Sequence, residues 1–386
     1  MATAKPCRLT SLSRLSHHAA IKSPIRNNRA AGAPVLPAEI VLAPDWWEAR
    51  AGITFDPDFF FHPARRVEAE RKMEQALYER WGRFGLGADR NRDLPLVGAT
   101  HLAAGFLLPE MLGCQVEYRA GGPPQVHAAE RPELAIDEEA AFASAAFRRF
   151  ERLTAALKQR HGYLAGDVNW GGVLNLGLDL RGQTLLMDLI EQPEQVRAFF
   201  QQISRVIERF VARIEGETGS SSISVNRTVR HLPRPVFLHS ECSNTMISAE
   251  HYEQLLLPVD LAWSQRHRPF GIHHCGKDPH RFAAAYAKVP HLDFLDVGWG
   301  GDLRVLRQHL PDTFLNIRLS PVEIPKQTPD DISGTIRRLV TEAGGPALTG
   351  VCCINVDKTV SDEQVAAIFQ TAAELRGEWL AAQAGG

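Results

Sequence analysis

From about residue 160 onward, short apolar or β-branched runs alternate with amphipathic helical patterns, which restricts the chain to a parallel sheet with crossover helices. The strand candidates are Ile223–Val225, Val236–His239, Phe270–His273, Phe294–Val297, Phe314–Ile317 and Leu348–Val351. The clearest helix opens at Pro193, where proline suits a first turn, and carries Val196, Phe199, Phe200, Ile203, Val206, Ile207, Phe210, Val211 and Ile214 on one face. Ser248 is a candidate N-cap, and Thr328-Pro329-Asp330-Asp331 opens a helix with acid in its first turn. Ser361 with Gln364 has the capping-box pattern ahead of Val365, Ile368 and Phe369. Six strands with intervening helices fit a (β/α)8 TIM barrel, and 386 residues at 44% hydrophobic content can fill its core.

The N-terminal part is less regular. Amphipathic segments near residues 63–82 and 137–159 are separated by loops such as Gly121-Gly122-Pro123-Pro124, and no fixed repeat or interdomain linker interrupts the chain. Residues 41–386 are therefore expected to form one barrel domain. Residues 1–40 are expected to be a disordered basic extension, with Lys5, Arg8, Arg14, Lys22, Arg26 and Arg29 and no acidic residue before Glu39. They lack the apolar stretch of a secretory signal; a tail, a transit peptide and a start assigned too early all fit them.

A net charge of −2 gives no reason to expect nucleic acid or an anionic membrane as partner, and no apolar run is long enough to span a bilayer. The six cysteines, Cys7, Cys114, Cys242, Cys275, Cys352 and Cys353, are too sparse for a disulfide scaffold, so a reducing, cytoplasmic setting is expected. A small-molecule partner is the default, and a homodimer stays open.

Chemistry concentrates at two strand ends, Phe270-Gly271-Ile272-His273-His274-Cys275-Gly276 and Gly350-Val351-Cys352-Cys353. One imidazole and two thiolates form a donor set that favours zinc over magnesium or calcium, and three protein ligands leave a fourth position for an exchangeable one. In a (β/α)8 barrel, strand ends gather on one face, so residues distant in sequence share an ion. The expected ligands are His273, Cys275 and Cys353. Neighbouring strand residues point oppositely, so only one of Cys352 and Cys353 faces the ion, and the spacing to Lys358 favours Cys353. His274 is expected to point away from His273 and to pack. Cys114 and Cys242 are expected to be small buried hydrophobes.

Glu241 and Asp296 are the candidate catalytic carboxylates. Glu241 is a candidate base, fourth ligand or helix cap. His239, Asn226, Arg227 and Arg318 lie near strand ends and are candidates for substrate contact, as are Asp167, Asn169 and Asn175; a solvated loop is the blander fate of each. Trp46, Trp47, Phe59, Phe60 and Phe61 suit core or dimer packing as well as a pocket wall.

His273-His274-Cys275, then Gly350-Val351-Cys352-Cys353 with Lys358-Thr359 beyond it, resembles the motif of the uroporphyrinogen decarboxylase superfamily, in particular its zinc-dependent methyltransferases that move a methyl group from a corrinoid to a thiol such as coenzyme M. The segments Gly182–Pro193 and Ile247–Pro258 resemble that family as well, so the likeness covers residues 170–375. It implies a TIM barrel, a zinc ion, a corrinoid methyl donor carried on a partner protein, and a substrate thiol activated as a zinc thiolate. Two departures stand out. The decarboxylases grip their acidic tetrapyrrole with paired arginines, whereas this chain has only Pro44-Asp45-Trp46-Trp47-Glu48-Ala49-Arg50-Ala51-Gly52. The family often has an acidic residue before Trp after the next strand, whereas here Gly298 precedes Trp299 and Asp296 is the nearest substitute. The resemblance leaves two competitors: a metal-free decarboxylase or lyase acting on a carboxylated substrate, and a binding protein whose zinc only braces the barrel.

Overall fold

The computed structural model describes residues 35–89, 99–101, 105–119, 121–219 and 236–385, with the backbone alone for 99–101 and 165–167. The expected strand Ile223–Val225, together with Asn226 and Arg227, lies outside the described residues, as does most of the basic extension.

Ten strands follow one another along the described chain: β1 (Ala38–Leu42), β2 (Ala99–His101), β3 (Gln115–Glu117), β4 (Gln125–His127), β5 (Ala165–Asp167), β6 (Phe237–Glu241), β7 (Phe270–His274), β8 (Leu292–Val297), β9 (Phe314–Leu319) and β10 (Thr349–Val356). A curled parallel sheet runs in the order β1-β10-β9-β8-β7-β6, so the first strand closes against the last. β2 and β5 form a separate parallel pair, and β3 and β4 an antiparallel one. Of the expected (β/α)8 barrel, the described residues show a half-barrel, the six-stranded curled parallel sheet, and apart from it the β2–β5 pair; among the described residues no ladder joins the two. Ala38, Glu39 and Ile40, which fall within the expected basic extension, pair with Val351, Cys352 and Cys353 of β10.

The sheet separates two apolar regions. Phe270, Ile272, Leu295, Val297, Leu315, Ile317, Leu319 and Val351 belong to the main core, shared with helix residues such as Phe199, Trp263, Ile336 and Ile368. Each such fully buried side chain contributes about 1.5–3 kcal/mol relative to exposure. Alternate strand residues point the other way, and Val236, Leu238, Phe294 and Phe314 form a small plug inside the curl. There is no space for larger side chains beside it, since a Cβ on Gly271 would come within 2.9 Å of Leu238 and one on Gly350 within 2.9 Å of Phe314. Toward the C-terminal ends of the strands, the inner positions become Ser240, His273, Asp296, Asn316, Arg318 and Cys352, all buried. A polar layer therefore caps the apolar plug.

The helices that cover the outer face begin and end for local reasons. Pro193–Thr218 has proline in its first turn and stops at Gly219, whose φ of 73° suits glycine. Thr328 and Asp331 form a capping box, as do Ser361 and Gln364. Ser248 accepts from His251 N, starting a helical run that contains a π turn at Tyr252–Leu256. Pro258 follows that turn and has no N–H to give Gln254 O, which accepts from Arg197 Nε at 3.3 Å instead. Among the described residues no helix is long and apolar enough to cross a membrane.

Candidate metal centre

Glu241 of β6 lies opposite His274 of β7, and Cys275 N reaches back to Glu241 O at 3.3 Å. The ladder therefore carries on past both strands and brings Cys242 alongside Cys275. A nitrogen of His273 and the sulfurs of Cys242 and Cys275 all lie within 4.8 Å of one another, so this group could hold a metal ion. His273 is fully buried, Cys275 half-buried and Cys242 exposed, which leaves the group one side toward solvent.

Inner-face neighbours orient the trio. His273 lies opposite Asp296, and its Nδ1 pairs with the Asp296 carboxylate. That carboxylate also accepts from Arg318 Nη2 at 3.1 Å and Asn316 Nδ2 at 3.2 Å, with Cys352 Sγ at 3.7 Å. Arg318 Nη1 donates to Cys275 Sγ at 3.2 Å, and Nη2 lies 3.1 Å from His273 Nε2.

The hydrogen bond from Cys242, reinforced against burial by His273 and Arg318, draws the Cys275 thiol down to about 3, while Cys242, an exposed residue whose sulfur is nonetheless covered by protein, is pushed up first by the same shared proton and then by that desolvation. Burial pushes Asp296 up, but Arg318 and His273 outweigh it and hold the carboxyl at about 2. Burial and Arg318 push His273 down, yet Asp296 raises it overall. A carboxylate on the far nitrogen of a histidine is the usual support of a metal-binding imidazole.

The structure brings together two of the three expected ligands, His273 and Cys275, and sets Cys242 beside them in place of Cys353. Cys353 belongs to the main core on the outer face, where burial raises its thiol to about 12. Its neighbour Cys352 lies opposite Arg318 and faces inward, so the parity of β10 is the reverse of the one expected. Cys242, expected to be a buried hydrophobe, is exposed because it follows the last residue of β6. Its signal was a parallel between the two strand ends: His239-Ser240-Glu241-Cys242 and Ile272-His273-His274-Cys275 each carry a cysteine one residue beyond the strand.

Asp296 sits within this group, but Glu241 sits on the opposite face of β6. Its Oε1 accepts from Leu174 N at 2.9 Å, at the start of the helix Val173–Arg181, and lies 2.8 Å from His239 Nε2; its Oε2 is buried without a hydrogen-bond partner. Gly172 permits that approach, since a Cβ there would lie 2.4 Å from Glu241 Cδ. His239 bonds Asp260 at 2.6 Å, and Tyr252 donates to the other oxygen of Asp260. Burial lowers His239, but Asp260 and then Glu241 raise it to about 10.

His274 bonds Tyr286 at 2.6 Å, away from His273. Asn169 turns back to Gly171 N, and Asn175 donates to Ser240 O. Trp46, Trp47, Phe59 and Phe60 are core residues, and Phe61 packs beneath the Arg149 guanidinium. Gly298, which precedes Trp299, has no room for any side chain: a Cβ would lie 1.9 Å from Gly276 O. Beside the loop it opens, a cavity of ≈ 590 Å³ is lined by Lys277, Trp299, Arg318, Ser320, Gln327 and Arg338, among others.

No protein-family model matches the chain, and no curated protein matches it by sequence. Among solved structures it is similar to a methyltransferase from Methanosarcina mazei, at 14% identity and a TM-score of 0.62 over 91% of this chain and 96% of that one. It is also similar to a B12-independent methionine synthase from Shewanella sp. W3-18-1 in complex with selenomethionine, at 10% identity and a TM-score of 0.48 over 90% of this chain and 99% of that one. The first likeness establishes a shared α/β fold; the second is too loose to argue from.

Proposed function

We propose that the protein is a zinc-dependent methyltransferase of the uroporphyrinogen decarboxylase type, moving a methyl group from a corrinoid or another methylated donor to a thiol. The observation that carries this reading is the convergence of Cys242, His273 and Cys275, with Asp296 behind the imidazole. One nitrogen and two sulfurs suit zinc, and three protein ligands leave a position for substrate. The shared fold with a methyltransferase supports the reaction class. The charges also fit, because Asp296 and Arg318 offset one another and two thiolates offset a divalent ion.

A zinc ion bound there would supply acidity to a coordinated substrate thiol, whose free pKa of about 8.5 leaves it mostly protonated at neutral pH. The chain's own residues do the rest. Asp296 accepts the proton of His273 Nδ1 and so directs the Nε2 lone pair toward the ligand group. Arg318 holds the sulfur of Cys275 in place by a hydrogen bond. The cavity beside Trp299 and Lys277 gives a substrate room within reach of Arg318. In the transfer, sulfur bonds to the methyl carbon as the donor's bond to that carbon breaks, and the electron pair leaves with the donor. A corrinoid-carrying protein is the proposed partner.

The test is metal analysis of wild type, Cys242→Ser, Cys275→Ser and Cys353→Ser, followed by a methylcobalamin and thiol assay that reads cobalt reduction. Stoichiometric zinc in wild type and Cys353→Ser, its loss in the other two, and thiol-dependent demethylation are expected. Zinc-loaded protein that never demethylates the donor with any thiol would overturn the reaction assigned here.

A further inference from the structure

We infer that Cys242 and Cys275 are also a site of oxidative modification, a dithiol at the solvent edge that a peroxide closes to a disulfide across the ends of β6 and β7. The inference goes beyond methyl transfer and shares with it only these two sulfurs.

The geometry is that of the ladder. Glu241 lies opposite His274, and the Cys275 N to Glu241 O bond of 3.3 Å carries the pairing past both strand ends, so the two cysteines are cross-strand neighbours. Adjacent strands lie about 4.7–4.9 Å apart, inside the Cα separation of about 4.4–6.8 Å that a disulfide spans. The sulfurs already lie within 4.8 Å of each other, so side-chain rotation can close the gap without moving a strand. Both cysteines are free in the structure; Cys242 is an exposed residue and Cys275 a half-buried one, so the pair borders solvent. Cys114, Cys352 and Cys353 are buried, and the last two point to opposite faces of β10. Among the described residues, the Cys242–Cys275 pair alone combines proximity with access.

Arg318 supports the order of events, since it donates to Cys275 Sγ and marks that sulfur as the one held ready to attack. The Cys275 sulfur attacks a peroxide oxygen, forming S–O as O–O breaks, and the leaving hydroxide takes up a proton as water. The Cys242 sulfur then attacks the Cys275 sulfur, forming S–S as S–O breaks and releasing a second water. Two electrons pass from the sulfurs to the peroxide, and each thiol proton ends in water. A metal held by the same sulfurs would block the first attack.

The test uses the full chain stripped with a chelator, with and without added zinc, treated with hydrogen peroxide, alkylated and mapped by mass spectrometry without reduction. Expected is a Cys242–Cys275 linked peptide pair, loss of both alkylatable thiols, recovery with dithiothreitol and protection by zinc. Cys242→Ser should stop at a Cys275 sulfenic acid that dimedone traps, and Cys353→Ser should leave the linked pair unchanged. Oxidation of Cys275 straight to sulfinic acid in wild type, or linkage through Cys7 or Cys352, would overturn the inference. A linked pair in a protein that never binds zinc supports the dithiol and sinks the metal centre; tight zinc binding with no linkage does the reverse.

Discussion

The sheet carries two buried histidine–carboxylate pairs on opposite faces, and their neighbours give them different roles. His273–Asp296 faces inward, where the imidazole meets two cysteines and Arg318. His239–Asp260 faces outward, closed in by Tyr252, Glu241, Trp170 and Trp263. In the first, Arg318 balances the carboxylate and lies against the imidazole beside the two sulfurs; in the second, one imidazole nitrogen meets Asp260 and the other meets Glu241 and Val173 N, with no sulfur nearby. The same pair is thus a ligand support on one face and a structural tie between β6 and the helical run around Tyr252 on the other. What the second nitrogen meets decides the role.

The largest expected contrast is in metal content. His273→Ala should lose stoichiometric zinc, whereas His239→Ala should keep it, as read by elemental analysis of purified protein; equal loss in both would erase the distinction between the faces. Next in size is stability. Asp260→Ala leaves a buried imidazolium short of a partner, a change that costs about 3–5 kcal/mol and should appear as a large drop in the urea midpoint.

The two pairs should also fail at opposite ends of the pH scale. His239 is raised from 6.5 to about 10, so its contribution is complete below pH 6.5 and is lost as pH climbs through about 10. Asp296 is lowered from 3.8 to about 2, so its contribution is present above pH 3.8 and is lost as pH falls through about 2. Urea midpoints against pH should therefore lose their alkaline limb in His239→Gln and their acid limb in Asp296→Asn. An unchanged alkaline limb in His239→Gln would remove the outer pair as its source. The smallest effect belongs to Cys353→Ala, which should cost about 1 kcal/mol and leave zinc content untouched; loss of zinc there would return Cys353 to the ligand set.

Much of this fold was legible because the β6–β10 strands are apolar runs bounded by helical patterns with clear caps. β2 and β5 were not, at three residues each, too short to show a period. His273 and Cys275 were legible as one motif on one strand. The third sulfur was not, because strand alternation says that Cys352 and Cys353 face opposite ways but leaves open which is inward. The register against β9 decides that, through the alignment of Cys352 with Arg318, and it is a property of two strands together. Cys242 likewise gains its role from the pairing of β6 with β7. Glu241 looked available to chemistry from its place at a strand end, but strand parity turns it toward the helix at Val173.

The bare backbone at Gly298 ties two loops into one body. With Gly276 O lying where a Cβ on Gly298 would have to sit, the backbone leading into Trp299 rests directly on the carbonyl of the residue after Cys275. Any side chain introduced at Gly298 would therefore have to displace the turn just past Cys275, and with it one wall of the cavity.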